Sequence, residues 1–296
     1  MSEPSFRAGF LAVVGRPNVG KSTLVNCLVR QKISITSRKS QTTRHLIRGI
    51  LTTREHQFIF VDTPGFQIRH QSALNRLMNR AVTESLHDVD VVLCLVEAVR
   101  FGEGDRAVLG VLPRDRPVLL VINKIDQLTD KSVLLPYIER VSREFPFAEI
   151  IPLSASRGMG TEELLRAAGA YLPQCEPLFP GDEVTDRSER FLAAELIREK
   201  LFRRLGDELP YGITVDIEQF EEAAHLRRIH AAIIVDKPAH KPMVVGKQGE
   251  ALKVIATQAR LDMEKLFAAK VHLEVWVKVR RGWPDDERTL RSLGYE

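Results

Sequence analysis

Five apolar runs recur along the first half of the chain: FLAVV (10–14), HQFIFVD (56–62), VDVVLCLV (89–96), PVLLVIN (117–123) and AEIIPLS (148–154). Each is strand-length and bounded by polar or glycine-containing segments, the pattern of strands buried on both faces. Between them, stretches of mixed polarity at 21–29, 72–87, 103–112, 131–144 and 160–171 have helical length. This alternation predicts an α/β unit: a mostly parallel sheet with helices on either side.

The pattern then changes. PQCEPLFPGDEVTDRSE (173–189) contains Pro173, Pro177 and Pro180 and few residues able to pack, so it reads as a linker. RFLAAELIREKLFRRL (190–205) places Leu192, Leu196, Ile197, Leu201 and Leu205 along one side of a helix. GITVDIEQF (212–220), RIHAAIIVD (228–236) and VHLEVWVKV (271–279) alternate as strands, and a glycine loop at 246–249 joins the apolar segment MVV (243–245) to a helix at 250–267. These elements make a smaller α+β unit. The expected organisation is residues 1–173, a linker at 174–189, and residues 190–296 with a C-terminal tail.

Composition acts mainly by exclusion. The 296 residues are 44% hydrophobic and 28% charged, ordinary for a globular chain. The apolar runs are too short to span a bilayer, and the N-terminal MSEPSFRAG has no apolar signal core. Cys27, Cys94 and Cys175 form neither a disulfide framework nor a metal-ligand spacing, so a reducing cytoplasm is expected. Charge adds more. The net charge is only +4, yet Pro4 to Arg54 holds ten Lys or Arg and no acid, and Lys237 to Arg281 holds ten against four. Both basic zones surround a glycine loop, which favours polyanionic ligands over a plain solvated face.

The first loop, GRPNVGKS (15–22), fits G-x-x-x-x-G-K-[ST] between a strand and a helix. Backbone N–H groups of Gly15, Arg16, Pro17 to Val19 and Gly20 can wrap phosphates, Asn18 and the following Thr23 included in the set, proline excepted as a donor. Lys21 can reach the β and γ phosphates, and the Ser22 hydroxyl can ligate Mg²⁺. In FVDTPG (60–65), Asp62 would hold Mg²⁺ through water and the Gly65 N–H would sense the γ phosphate. NKID (123–126) offers the Asp126 carboxylate to the two donors of a guanine edge. An adenine lacks those donors and would leave the acid unpaired, which selects GTP over ATP. Asn123 would fix the loop, the Lys124 stem would cover the base, and SAS (154–156) would supply Ser154 and the Ala155 N–H.

Four motifs in this order and at strand ends resemble a translation-factor-type GTPase. That resemblance implies an effector segment within the basic stretch SRKSQTTRHLIRG (37–49), where a threonine ligates Mg²⁺ in the GTP state. Analogy with Thr-Arg in related GTPases favours Thr43, although spacing leaves Thr42 open. The position after the Asp-to-Gly turn, often glutamine, is Phe66, which cannot orient water. Slow intrinsic hydrolysis is expected, with Lys21, Thr43, Gly65 and Asn18 as the catalytic set. Asn18 occupies the place where related enzymes coordinate K⁺, with a loop-forming role as the plain alternative.

The second loop, GKQG (246–249), has two residues between its glycines and no hydroxyl after its lysine, so it is no nucleotide loop. Its setting resembles a KH domain, in which such a loop clamps about four nucleotides of single-stranded RNA. Val245, Gly246, Lys247, Gln248, Gly249 and Lys253 are the expected RNA-facing residues, extended by Lys278, Arg280 and Arg281. Leu252 and Ile255 could line a groove or simply pack the core.

Over residues 8–283 the combination resembles the Era family of bacterial ribosome-assembly GTPases: a P-loop G domain followed by a type II KH domain. The resemblance implies a GTPase using GTP/GDP and Mg²⁺, binding 16S rRNA near its 3′ end and assisting 30S subunit maturation; a monomer is expected. It also implies peripheral association with the inner membrane. Two other readings stay open: a binding module with vestigial hydrolysis, and a membrane-signalling GTPase whose second unit contacts protein. If Asp126 reads guanine, Asp126→Asn shifts preference from GTP toward xanthosine triphosphate in a nucleotide-competition assay. Unchanged guanine selectivity would sink the assignment.

Overall fold

A computed structural model describes residues 6–37, 39, 41–66, 72–206 and 212–295. Contacts divide the described residues into two compact units. The first draws on the described residues within 1–34, 43–71 and 75–186, and the second on those within 35–42, 72–74 and 187–296. Two short early segments thus cluster with the later part of the chain.

In the first unit, six strands among the described residues lie in the order β2-β3-β1-β4-β5-β6. They are β1 (Arg7–Val14), β2 (Ile47–Thr52), β3 (His56–Asp62), β4 (Val91–Glu97), β5 (Val118–Asn123) and β6 (Glu149–Pro152). All neighbouring pairs are parallel except β2 with β3. Helices α1 (Lys21–Leu28), α2 (Ala73–Ser85), α3 (Glu103–Leu109), α4 (Leu134–Ser142) and α5 (Thr161–Ala170) connect them. β4 and β5 are buried along their whole length, as their unbroken apolar runs require. Parallel strands point their C-terminal ends the same way, so the loops after β1, β3, β5 and β6 gather at one edge of the sheet. The Cys94 thiol is pushed up to about 12 by burial, which leaves it inert and in the core.

One element corrects the sequence reading. Residues 47–49, the end of the basic stretch 37–49, begin the edge strand β2, with Ile47 and Ile50 buried against the sheet. Arg48 breaks the apolar run, and an edge strand needs only one buried face. Gly49 allows close packing: a Cβ there would lie 2.8 Å from Ile33 and 2.9 Å from Val25.

The second unit contains α6 (Glu189–Arg204), β7 (Ile213–Ala223), β8 (Leu226–Val235), α7 (His240–Val245), α8 (Glu250–Phe267), β9 (Lys270–Val279) and α9 (Glu287–Ser292). β7 and β8 are antiparallel with a bulge between Ile217 and Gln219, and β8 and β9 are parallel. Leu192, Leu196 and Ile197 of α6 and Ile255, Ala259 and Met263 of α8 pack into one core with Ile229, Ala231 and Ile233 of β8. Two features escaped the sequence reading. MVV is the end of the short helix α7, not an extended apolar run, so the order becomes α-β-β-α-α-β, that of a type II KH domain. The tail also packs: buried Trp283 donates from Nε1 to the Gly212 carbonyl (3.0 Å) and stacks on Tyr295, whose hydroxyl meets Thr214 Oγ1 at 2.9 Å.

Candidate functional site

The loop after β1 is closed around its own lysine. A Cβ on Gly15 would lie 2.6 Å from the Leu95 carbonyl, and one on Gly20, at φ 103°, 2.3 Å from Asn123 Nδ2. Only glycine fits either place. Asn18 is exposed and left-handed (φ 66°), a conformation asparagine tolerates better than most residues. Buried Lys21 donates from Nζ to the carbonyls of Gly15 (3.0 Å) and Arg16 (3.3 Å), and burial pushes its pKa down to about 8. Ser22 and Thr23 follow in the first turn of α1, and Val19 is fully buried.

Asp62, at the end of β3, is completely buried, and neither carboxylate oxygen has a hydrogen-bond partner. Burial pushes its pKa up to about 6, against the nearby Ser22 and Ser34 hydroxyls and the Lys21 ammonium. An acid held this way fits a hard cation with oxygen ligands. The Ser22 hydroxyl meets Thr43 Oγ1 at 2.8 Å. Thr42 Oγ1 is committed elsewhere, donating to the Lys39 carbonyl (2.7 Å) and facing Ser37 Oγ at 2.9 Å. The structure therefore brings Thr43, rather than Thr42, to Ser22. Thr63 Oγ1 donates to the Val13 carbonyl (2.8 Å) and anchors the turn, while a Cβ on Gly65 would lie 2.9 Å from Pro17 Cα. The Phe66 ring packs on the core cluster of Val61 and Val82. Residues 38 and 40 of the expected effector segment, and residues 67–71 after Phe66, lie outside the described residues.

Asn123 holds the base end together. Its Nδ2 donates to the Val19 carbonyl (2.8 Å), and its Oδ1 accepts from Lys124 N (2.7 Å) and Ala155 N (3.0 Å). The Ala155 N–H expected to meet a base is thus already engaged within the protein. Asp126 accepts from Ser154 Oγ (2.6 Å) and lies 3.8 Å from Arg157. Glu97, at the end of β4, was missed in the sequence. It bonds Lys124 Nζ (2.8 Å) and pairs with Arg100 (3.0 Å) and Arg16 (3.5 Å). Burial alone would raise the Glu97 carboxyl, but these cations hold it below the usual carboxylate range. Asp105, also missed, grips Arg16 Nε at 3.1 Å and the Gly102 N–H at 3.0 Å. The available signal was an acid closing the apolar run VVLCLVE, the position Asp62 occupies in HQFIFVD.

The second glycine loop has the opposite character. Gly246 (φ 75°), Gln248 (φ 52°) and Gly249 (φ 82°) turn the chain sharply before α8. A Cβ on Gly246 would lie 2.6 Å from Ala251 Cβ, whereas one on Gly249 would meet nothing within 4 Å. Lys247, Gln248 and Lys253 are exposed. Val245 and Leu252 are half-buried against the core, and Ile255 lies fully within it, so Ile255 is packing. Lys278 pairs with Glu218 across the sheet and lies over Trp276, while Arg280 and Arg281 are exposed.

Comparison with known proteins follows the same division. Residues 10–124 match the family described as 50S ribosome-binding GTPase, and residues 208–284 match the KH domain family. GTPase Era of Nitrosomonas eutropha is 58% identical over the full length of both chains, and that of Chromobacterium violaceum 55%. The chain belongs to the Era family of GTPases. Solved Era structures agree: one with MgGDPNP and nucleotides 1506–1542 of 16S ribosomal RNA is 37% identical, covers 98% of this chain and 99% of its own, and superposes with a TM-score of 0.94. An Aquifex aeolicus Era variant bound to GDP and aluminium fluoride gives the same values.

In this Era-family chain burial pushes the Asp62 carboxyl from its ordinary 3.8 up to about 6. Between those values the metal-free fold holds a proton the unfolded chain has lost, so this group's contribution to stability falls as pH rises through the window. If Asp62 holds Mg²⁺, the ion competes with that proton. Its half-saturation, measured with GDP present, should improve about tenfold from pH 5 to 7. Asp62→Asn should remove the component due to this carboxyl; an identical pH profile in the variant would refute the assignment.

Proposed function

We propose that this chain is a magnesium-dependent GTP switch that binds 16S rRNA near its 3′ end and assists maturation of that RNA and of the 30S subunit. The observation that carries this reading is the contrast between its glycine loops. The first is filled by its own protein, with Lys21 drawn over the loop carbonyls and Asp62 buried beside it without a hydrogen bond. The second turns sharply and leaves open space at Gly249. A tight loop at a helix N-terminus suits phosphates, and an open one suits a close-running RNA backbone.

The geometry supports a role for each residue. Backbone N–H groups of residues 15–20, proline excepted, would hold the phosphates with Lys21 and the Gly65 N–H. Ser22, Thr43 and Asp62 would hold Mg²⁺, which neutralises charge on the β and γ phosphates when bound. Asp126 would take the guanine edge under the Lys124 stem, with the Ala155 N–H shared between base and Asn123. Gly246, Lys247, Gln248, Gly249 and Lys253, beside Val245, would clamp RNA; Arg280 and Arg281 would add attraction, with Lys278 giving up Glu218 to join them. The Era structure holding both MgGDPNP and 16S nucleotides supports this pairing of ligands. The corresponding domains are residues 1–173 and 190–296, joined by 174–189. The chain would act as a cytoplasmic monomer that associates peripherally with the inner membrane; no helix among the described residues is long and apolar enough to cross one.

GTP would order the effector segment and so change RNA access to the KH loop. Phe66 supplies no hydrogen bond to water, so intrinsic turnover should be slow, with K⁺ at Asn18 as the added charge. Hydrolysis should then be faster in potassium than in sodium at equal ionic strength, and equal rates would remove the ion. Gly249→Asp should weaken RNA binding by about tenfold or more through phosphate repulsion while GTP affinity survives. Unchanged RNA binding would overturn the assignment, and equal loss of both would indicate a folding defect instead.

A further inference from the structure

The charged side of α6 departs from an ordinary amphipathic helix. Glu195, Arg198, Glu199 and Lys200 are all buried, while Leu192, Leu196, Ile197 and Leu201 pack the core. Charges taken out of water cost several kcal/mol each unless partners satisfy them. Here the partners are specific. Glu195 accepts from Arg198 Nε (2.7 Å) and Nη2 (2.6 Å), and the guanidinium lies 5.1 Å from the Phe202 ring centre. Arg198 Nη2 also donates to the Thr42 carbonyl. Glu199 Oε1 accepts from the Thr36 backbone N–H (3.1 Å) and from Arg203 Nη2 (2.9 Å). Arg203 Nε and Nη2 in turn donate to the Thr36 carbonyl, each at 3.2 Å. Lys200 joins Glu199 to Asp262 of α8.

Residues 35–42 are therefore tied near both ends to one side of α6, within the second compact unit. Their chain neighbour is Thr43, whose hydroxyl meets Ser22 at 2.8 Å. One peptide bond separates the Arg198 anchor from that hydroxyl. The same unit holds a second segment from the G-motif region: Asp285 Oδ1 accepts from the Ala73 N–H at 3.1 Å. Arg198 Nη1 stays buried with no hydrogen-bond partner, so the network is poorly explained as a device for stability alone.

We propose that Arg198 and Glu199 are positioning residues for GTP hydrolysis: by fixing Thr42 and Thr36 they set the register in which Thr43 reaches the nucleotide site. This rests on the reading of Thr43 as a magnesium ligand. Nucleotide diphosphate, which does not recruit that threonine, requires neither residue.

The test uses the full chain carrying Arg198→Met, Glu199→Gln or Arg203→Ala. It measures kcat and KM for GTP, the Mg²⁺ half-saturation with a nonhydrolysable GTP analogue, and GDP affinity. For Arg198→Met we expect kcat to fall and the Mg²⁺ requirement to rise by about fivefold to tenfold, with GDP affinity within about twofold. Arg198→Lys, which keeps the charge but not the fork, should recover part of the loss. Unchanged kcat and Mg²⁺ requirement would overturn the proposal, as would equal loss of GDP and GTP binding. If Arg198→Met does not fold, Arg203→Ala decides: its side chain is half exposed (50%), and the same directions are expected. No change there overturns the proposal too. Loss of magnesium dependence in the unsubstituted chain would instead sink the underlying reading of Ser22, Thr43 and Asp62.

Discussion

A buried carboxylate whose oxygens find no hydrogen-bond partner is the constraint on which the candidate nucleotide site depends. Asp62 could be relieved by protonation, by a bonded neighbour, or by a cation. The fold supplies a cation in Lys21 but draws its ammonium onto the loop carbonyls, leaving it only partly available to the acid. Each charge is penalised by burial, Asp62 shifted upward and Lys21 downward. A bound triphosphate with its magnesium would relieve both together, which explains why such groups can be retained in a core where apolar residues would pack more cheaply.

The supporting frame is stiff where this chemistry needs it. Asn123 ties the phosphate loop to the loops after β5 and β6 through three hydrogen bonds. Glu97 draws Arg16 and Lys124 toward one carboxylate, so residues from opposite ends of the site share an anchor. Glycine serves close approach at Gly15 and Gly20 but leaves open space at Gly249. One residue type thus meets opposite surroundings in the two loops, crowded in the first and open at the end of the second.

The sequence was most legible where burial is complete or a backbone must turn. HQFIFVD matched β3 to the residue, and the helix expected at 250–267 matched α8, because each has a strong period and a clear boundary. β2 was lost because Arg48 interrupts an edge strand that needs only one apolar face, and α7 because six residues show too little helical period. Sequence alone cannot reveal that Thr42 and Thr36 meet Arg198 and Glu199 on the polar side of α6. Glu97 and Asp105 went unnoticed for a similar reason: their partners are distant in the chain. Thr42 and Thr43 were indistinguishable by spacing, and only the placement of their hydroxyls separates them.

The central claim is that the nucleotide state sets RNA binding at the GKQG loop. The most direct measurement is the affinity of the full chain for a 16S 3′-end RNA, titrated across salt concentration with GDP and with a nonhydrolysable GTP analogue, Mg²⁺ present in both. The account predicts salt-sensitive binding that differs by about fivefold or more between the two states. Identical affinities would contradict it.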